Sequence, residues 1–332
     1  MIRTGFLSAL LAAFALISGC TGSSRQSTSN NAAANLGSAT QPTSGAKTVV
    51  GSRPLIDFAR GAGGFPLAHD SLPNSRDGLT AALTNEYRAR VELPAEASPV
   101  LAVGSAYPNL ETLAVDLSDG QIKSAYRPSA FKAVGRLQTN VLHVDRLTYS
   151  AIPLRYVDGC TNLRITAEDV TLGLLRGRGE QAALVMTEAK NGEVNFEVPV
   201  TDLESMFKAS ARQSASRTGF SVQDVKMNLT SHDSRSLSCE LKVRGLLLLL
   251  PSAIKITGQI DIDDQFNAHL SHIACTGEDV GGLLIAGFID SAIKRYDGRV
   301  QPLASFPGGK IQIRDVKITV DDSLRIYTAF GS

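Results

Sequence analysis

The stretch from Arg244 to Val320 constrains the fold most. It reads as an apolar strand pair, then an apolar helix, then two more strands. The strand pair is Gly245 to Pro251 and Ile254 to Ile262. The helix spans Asp279 to Tyr296 and stops at Asp297-Gly298, a helix-ending glycine signal. Val280, Leu283, Leu284, Ile285, Phe288, Ile289 and Ile293 cover more than half its circumference, and no charge follows Asp279 until Asp290. A surface helix shows a polar face. This one is expected to be wrapped by sheet or to line a greasy cavity; an ordinary buried core helix is the plainer reading. Gly281, Gly282 and Gly287 each cost about 1 kcal/mol against alanine in a helix. Close approach of sheet backbone or of a ligand is the expected return. Eighteen helical residues span roughly 27 Å, about the length of an acyl chain with its head group.

The chain begins with a targeting pattern. Arg3 is the positive region, and Gly5 to Ile17 is an apolar segment too short to span a bilayer, which needs about 20 residues. Ile17-Ser18-Gly19-Cys20 then resembles a bacterial lipobox. The resemblance implies a signal peptide over residues 1–19, cleavage before Cys20, diacylglycerol on its thiol and an acyl group on its new amine. Thr21 follows where an aspartate often retains lipoproteins at the inner membrane. The implied location is therefore the cell envelope, at the outer membrane facing the periplasm. Several acyl chains anchor far more firmly than one.

Residues 1–19 contain one arginine and no other charge, so the mature chain has 32 basic and 32 acidic residues. Neutrality argues against nucleic acid as a partner, which wants a basic surface. It also argues against strong attraction to anionic lipid. Three cysteines remain beyond Cys20: Cys160, Cys239 and Cys275. An oxidising compartment allows one disulfide. Cys239 with Cys275 is the preferred pair, since both sit in expected strands; no bridge is the alternative. The spacing fits no zinc or CxxC motif.

Residues 20–72 read as a lipidated flexible tether. Thr21 to Ser52 is dominated by small polar residues and cannot bury enough surface to fold. Leu55, Ile56, Phe58 and Phe65 are candidates to dock onto the domain. Residues 73–332 form one domain. A helix is expected over Asn74 to Val91, capped by Asn74 or Ser75, with Leu79, Leu83 and Tyr87 inward. Strands are expected at Leu110 to Leu117, Leu137 to Tyr149, Leu163 to Leu175, Ala182 to Glu188 and Glu193 to Val200, the last two divided by an Asn191-Gly192 turn. Ser129 to Val134 reads as a short helix. Thr201 to Glu204 reads as a capping box opening a helix with Leu203, Met206 and Phe207 inward. Strands follow at Phe220 to Thr230, Leu237 to Gly245, Lys310 to Val320 and Leu324 to Phe330. The alternation slips at Asp224 and Asp315 suggest bulges. The fold class is α+β: a long, curved, mostly antiparallel sheet wrapped around an apolar helix.

From Ser129 to Phe330 this order resembles the LmeA-type bacterial phospholipid-binding proteins, of the tubular lipid-binding (TULIP) superfamily. The carrying segments are Ser129 to Asp145, Val198 to Phe207, Gly258 to Ile262, the apolar helix, the Phe306 to Gly309 turn and Val316 to Ile326. The resemblance implies a TULIP-like curved sheet around a helix, leaving an apolar groove for acyl chains, and no catalytic residue.

Chemistry-bearing patterns are sparse. Ser-x-x-Lys occurs at Ser129–Lys132, Ser252–Lys255 and Ser291–Lys294 without a Lys-Thr-Gly partner, and chance explains it. His269 and His272 lie three apart in an expected strand, on opposite faces, and make poor joint metal ligands. Asp261, Asp263 and Asp264 read as a solvated hairpin end. The expected function is therefore binding, with no enzyme activity, metal or cofactor: a membrane-anchored lipoprotein that takes a phospholipid or similar amphiphile, to transfer or present it. Candidate lipid-contacting residues are Leu246, Leu248, Leu250, Leu283, Leu284, Phe288, Ile289 and Ile293. Strand alternation sends the first three one way. The alternative is a structural or assembly lipoprotein with a closed core that binds a protein partner.

Overall fold

The computed structural model describes residues 49–50, 56–57, 64–124, 131, 133–177, 181–215, 220–248 and 250–332. The expected signal peptide, Cys20, most of the expected tether and most of the Ser129–Val134 segment lie outside the described residues.

The strands, in chain order, begin with β1 (Val49–Val50), β2 (Ile56–Asp57), β3 (Phe65–Leu67), β4 (Val91–Glu92), β5 (Val100–Val103), β6 (Asn109–Asp116) and β7 (Gly120–Ile122). The long strands are β8 (Gln138–Tyr156), β9 (Gly159–Arg176) and β10 (Ala182–Pro199). Then come β11 (Phe220–Asp233), β12 (Ser236–Leu247), β13 (Leu250–Ile262) and β14 (Asn267–Gly277). The chain closes with β15 (Arg299–Pro302), β16 (Ala304–Ser305), β17 (Gln312–Val320) and β18 (Ser323–Gly331). The helices are α1 (Arg76–Arg90), α2 (Val200–Ala215) and α3 (Val280–Ile293), with a 3-10 turn at Lys294–Tyr296.

One large sheet runs β1-β15-β14-β13-β12-β11, a second has β17-β18-β10-β9-β8-β6-β5 as its main path, and β2 pairs in parallel with β16 as a separate two-stranded sheet. Most neighbours are antiparallel, as the alternating pattern implies; β6 and β7 run parallel to β8, and β1 parallel to β15. The sheets meet where Ile318 N in β17 donates to Ser234 O beside β11 at 2.7 Å. Bulges curve them. The register shifts between Val222 and Asp224 and between Ile313 and Asp315, where the alternation slips in sequence.

The first helix forms as its cap dictates: Gly78 N donates to the Ser75 hydroxyl, and Leu79, Leu83 and Tyr87 are buried against the larger sheet. Tyr87 meets Tyr149 of β8 edge-on at 6.3 Å between ring centres. Burial pushes the phenol of Tyr149 up to about 12.

Four expectations outside the apolar helix and the leucine run need correction. The tether does not extend to residue 72, because β3 pairs with β10 and its Phe65 and Leu67 side chains join the core. Asn191-Gly192 is no turn: β10 is continuous, Gly192 faces Phe330 across β18, and a Cβ there would stand 2.2 Å from that ring. The glycine makes room for an aromatic rather than bending the chain. Thr201 to Glu204 does not form a capping box. The helix starts at Val200, Asp202 accepts from Cys160 N at 2.8 Å, and Glu204 accepts from Met227 N at 2.7 Å. Leu203 and Phe207 are nevertheless buried as expected.

The fourth correction concerns the cysteines. Cys160, Cys239 and Cys275 are free thiols. Cys239 pairs with Gly258 of β13, and Cys275 pairs with Ile256 of the same strand from its other side. A whole strand separates them, about 9.5 Å at the usual strand spacing. A disulfide needs Cα atoms within about 7 Å. Burial pushes the Cys239 thiol up to about 12 and the Cys275 thiol up to about 11.

Candidate functional site

The apolar helix α3 starts where its sequence says. Asp279 caps it by accepting from Gly282 N at 2.6 Å. Its regular part ends at Ile293, three residues before the expected Tyr296, and the tail tightens into the 3-10 turn before Gly298 at φ +72°. The helix lies on β13 and β14. Ile285, Ala286 and Ile293 are buried, and Ile289 packs against the core.

Two of its glycines explain how close the helix comes. A Cβ on Gly282 would stand 1.9 Å from the carbonyl oxygen of Ala253, and one on Gly281 would stand 2.1 Å from the Ser252 hydroxyl. Helix backbone therefore rests on strand backbone. Gly287 meets nothing within 4 Å, so it needs another explanation. It lies on the opposite stripe of the helix, between Leu284 and Phe288.

That stripe overturns the expected wrapping. The sheet covers one side of α3 only. Val280, Leu283, Leu284 and Phe288 face away from it and are exposed, from 52% for Leu284 to 81% for Phe288. Their spacing is helical and consistent: these positions share one side, and 285, 286, 289 and 293 share the other.

The five-leucine run contributes the second part of the surface. Its sequence predicts a strand, but it straddles a hairpin tip. Leu247 of β12 pairs with Leu250 of β13, leaving a two-residue connection that begins at Leu248. Leu246 instead faces Pro251, so Leu246 and Leu250 lie on opposite faces of the hairpin, and alternation does not align Leu246, Leu248 and Leu250. Leu248 adopts φ +48°, a left-handed conformation that glycine and asparagine tolerate and leucine disfavours. Its side chain is 77% exposed, and Leu250 is exposed beside it. Leu247 and Leu250 share the sheet face on which Ser252 meets Gly281 of α3. The tip and the helix thus adjoin.

The candidate lipid-contacting residues separate accordingly. Leu248, Leu250, Leu283, Leu284 and Phe288 form the exposed group; Leu246 and Ile289 are half-buried; Ile293 is core. Val280, 75% exposed on the same stripe, belongs with the first group. Its helical spacing from Leu283, Leu284 and Phe288 was the signal for it.

The polar patterns resolve into structural roles. Asp263 closes the β13–β14 turn, accepting from Gln265 N, Asn267 N and the Asn267 amide and lying 2.8 Å from His269 Nε2. Partial burial pushes its carboxyl up, but these hydrogen bonds together outweigh that and hold it down at about 2. His272 Nδ1 instead lies 3.1 Å from the Ser271 hydroxyl. The Ser252 hydroxyl donates to Leu250 O, while Lys255, three positions along the strand, pairs with Glu240 at 2.8 Å. Lys294 pairs with Asp290 at 2.8 Å, and Ser129–Lys132 lies outside the described residues. Among the described residues no group of three or more His, Cys, Asp or Glu is arranged to hold a metal, and no helix is long and apolar enough to cross a membrane. No family model, curated protein or solved structure matches the chain.

Proposed function

We propose that this chain is a cell-envelope lipoprotein, held through acylated Cys20, that binds phospholipid or a similar amphiphile against the outer stripe of α3 and the β12–β13 tip. The observation that carries the reading is the exposure of six large apolar side chains on two adjoining elements: Leu248, Leu250, Val280, Leu283, Leu284 and Phe288. Covering one such side chain completely is worth about 1.5–3 kcal/mol. Six together contribute on the order of 10 kcal/mol before the cost of association. A contiguous apolar surface of this kind marks an interaction site. Acyl chains suit it because neither Gly245 to Ala253 nor Val280 to Ile289 contains a charge or a basic clamp. A TULIP-like curved sheet is part of the proposal, with the apolar helix laid on the sheet rather than enclosed by it; the long strands β8 to β10, the bulged sheets and the helix's close seat on sheet backbone through glycines support it.

The test is native mass spectrometry, with lipid extraction, on the mature chain purified from cells. One lipid per chain in addition to the Cys20 modification is expected, and it is lost on Phe288→Asp while circular dichroism stays native. A chain carrying no further lipid, and taking none from added vesicles, removes this reading and favours a lipoprotein that binds a protein partner.

A further inference from the structure

We infer that the outer stripe of α3 and the β12–β13 tip dock on a bilayer, and that the bilayer is the one holding acylated Cys20. This rests on the lipoprotein reading and makes the apolar surface a second membrane contact.

The shape of the surface argues for a fluid partner. Phe288 and Leu248 are 81% and 77% exposed, so they stand out from the protein rather than line a crevice. A walled groove would leave such side chains half-covered. A bilayer accommodates projecting side chains without matching pockets.

The turn chemistry gives an independent argument. A two-residue hairpin connection favours Asn-Gly or similar residues because its backbone needs positive φ. Here leucine takes that conformation, φ +48°, and its side chain is turned to solvent. Packing within the protein therefore does not account for leucine at 248, whereas insertion among acyl chains does.

The position of the tether allows both contacts at once. β1 enters the domain parallel to β15, pairing Val49 with Arg299, only a few residues beyond the end of α3. Between Cys20 and Val49 lie 28 residues, which reach at most roughly 100 Å when fully extended. The helix is only about 21 Å long. The anchor thus leaves α3 free to meet the membrane that holds it. With charges balanced in the mature chain and none within the two apolar stretches, docking proceeds by apolar burial. It is therefore insensitive to salt and to anionic lipid.

The chain contains no tryptophan, so one introduced indole reports one place. Phe288→Trp, Leu248→Trp and, as a control on exposed β5, Leu101→Trp are made in the full mature chain. Each acylated variant is reconstituted into phosphatidylcholine vesicles with brominated acyl chains. The inference expects blue-shifted emission and quenching at 288 and 248, unchanged at high salt, with neither at 101. The Cys20→Ser chain, with no acyl anchor, is added to the same vesicles from outside. It should partition onto them, and the pair Leu283→Ser and Phe288→Ser should weaken that partition at least tenfold without unfolding the chain.

Equal, unquenched emission at 288, 248 and 101 overturns the inference. If the Cys20→Ser chain retains one extracted lipid but its indoles never meet the brominated chains, amphiphile binding stands and docking falls. If the indoles insert but no lipid co-purifies, docking stands and the carrier reading falls.

Discussion

Gly282 and Gly287 sit in one helix, share one identity and have opposite consequences. Gly282→Ala drives a methyl to within 1.9 Å of the Ala253 carbonyl oxygen, and lifting the helix from the sheet should cost about 3 kcal/mol. Gly287→Ala meets open space and should stabilise the fold by about 0.5–1 kcal/mol through helix propensity. Urea denaturation of both variants checks the pair. Asp263 supplies a pH dependence. Its folded-state carboxyl is held down at about 2, below an unfolded value of about 3.9. The stability it contributes is therefore fully present above about pH 4 and lost as pH falls through about 2. The stability gap between the natural chain and Asp263→Asn, measured by urea unfolding at a series of pH values, should be constant at neutral pH and close across that window.

At the scale of elements, the β12–β13 hairpin carries opposing demands. Leu248→Asn should raise fold stability by about 1 kcal/mol, because asparagine tolerates the positive φ that leucine disfavours. It should also weaken binding to lipid vesicles. A residue kept for packing would lose stability instead, so thermal unfolding and vesicle sedimentation on the same variant distinguish the two roles. The smaller sheet also sets the thiol chemistry. Cys239 and Cys275 are buried on either side of β13, with thiols pushed up to about 12 and about 11. Neither should react with iodoacetamide in the folded protein at neutral pH. Both should be alkylated in denaturant without any reductant, as peptide mass mapping would show.

At the scale of the molecule, the two large curved sheets share the main core, a smaller cluster of Leu175, Ala183 and Val185 stands apart from it, and α3 adds an apolar side that the core does not use. Local pattern was legible wherever a signal and its cause lie close together in the chain. Ser75 caps the helix that follows it, and the slips at Asp224 and Asp315 are bulges because a broken period of two needs an extra residue at that point. Legibility failed where the cause lies far away. Gly192 resembled a turn because the Phe330 ring that occupies its missing side chain comes from β18. The leucine run concealed a turn because it contains none of the residues that usually mark one.

The candidate surface divides in the same way. The sequence by itself determined that α3 is apolar all round, that glycines permit a close approach, and that Leu248, Leu250, Leu283, Leu284 and Phe288 belong among the greasy positions. These follow from residue type and helical period alone. Only the tertiary structure decided which side of the helix the sheet covers, that Ile293 is core while Phe288 is bare, and that β13 stands between Cys239 and Cys275. Periodicity records which residues share a face. What lies against that face depends on elements brought from elsewhere in the chain.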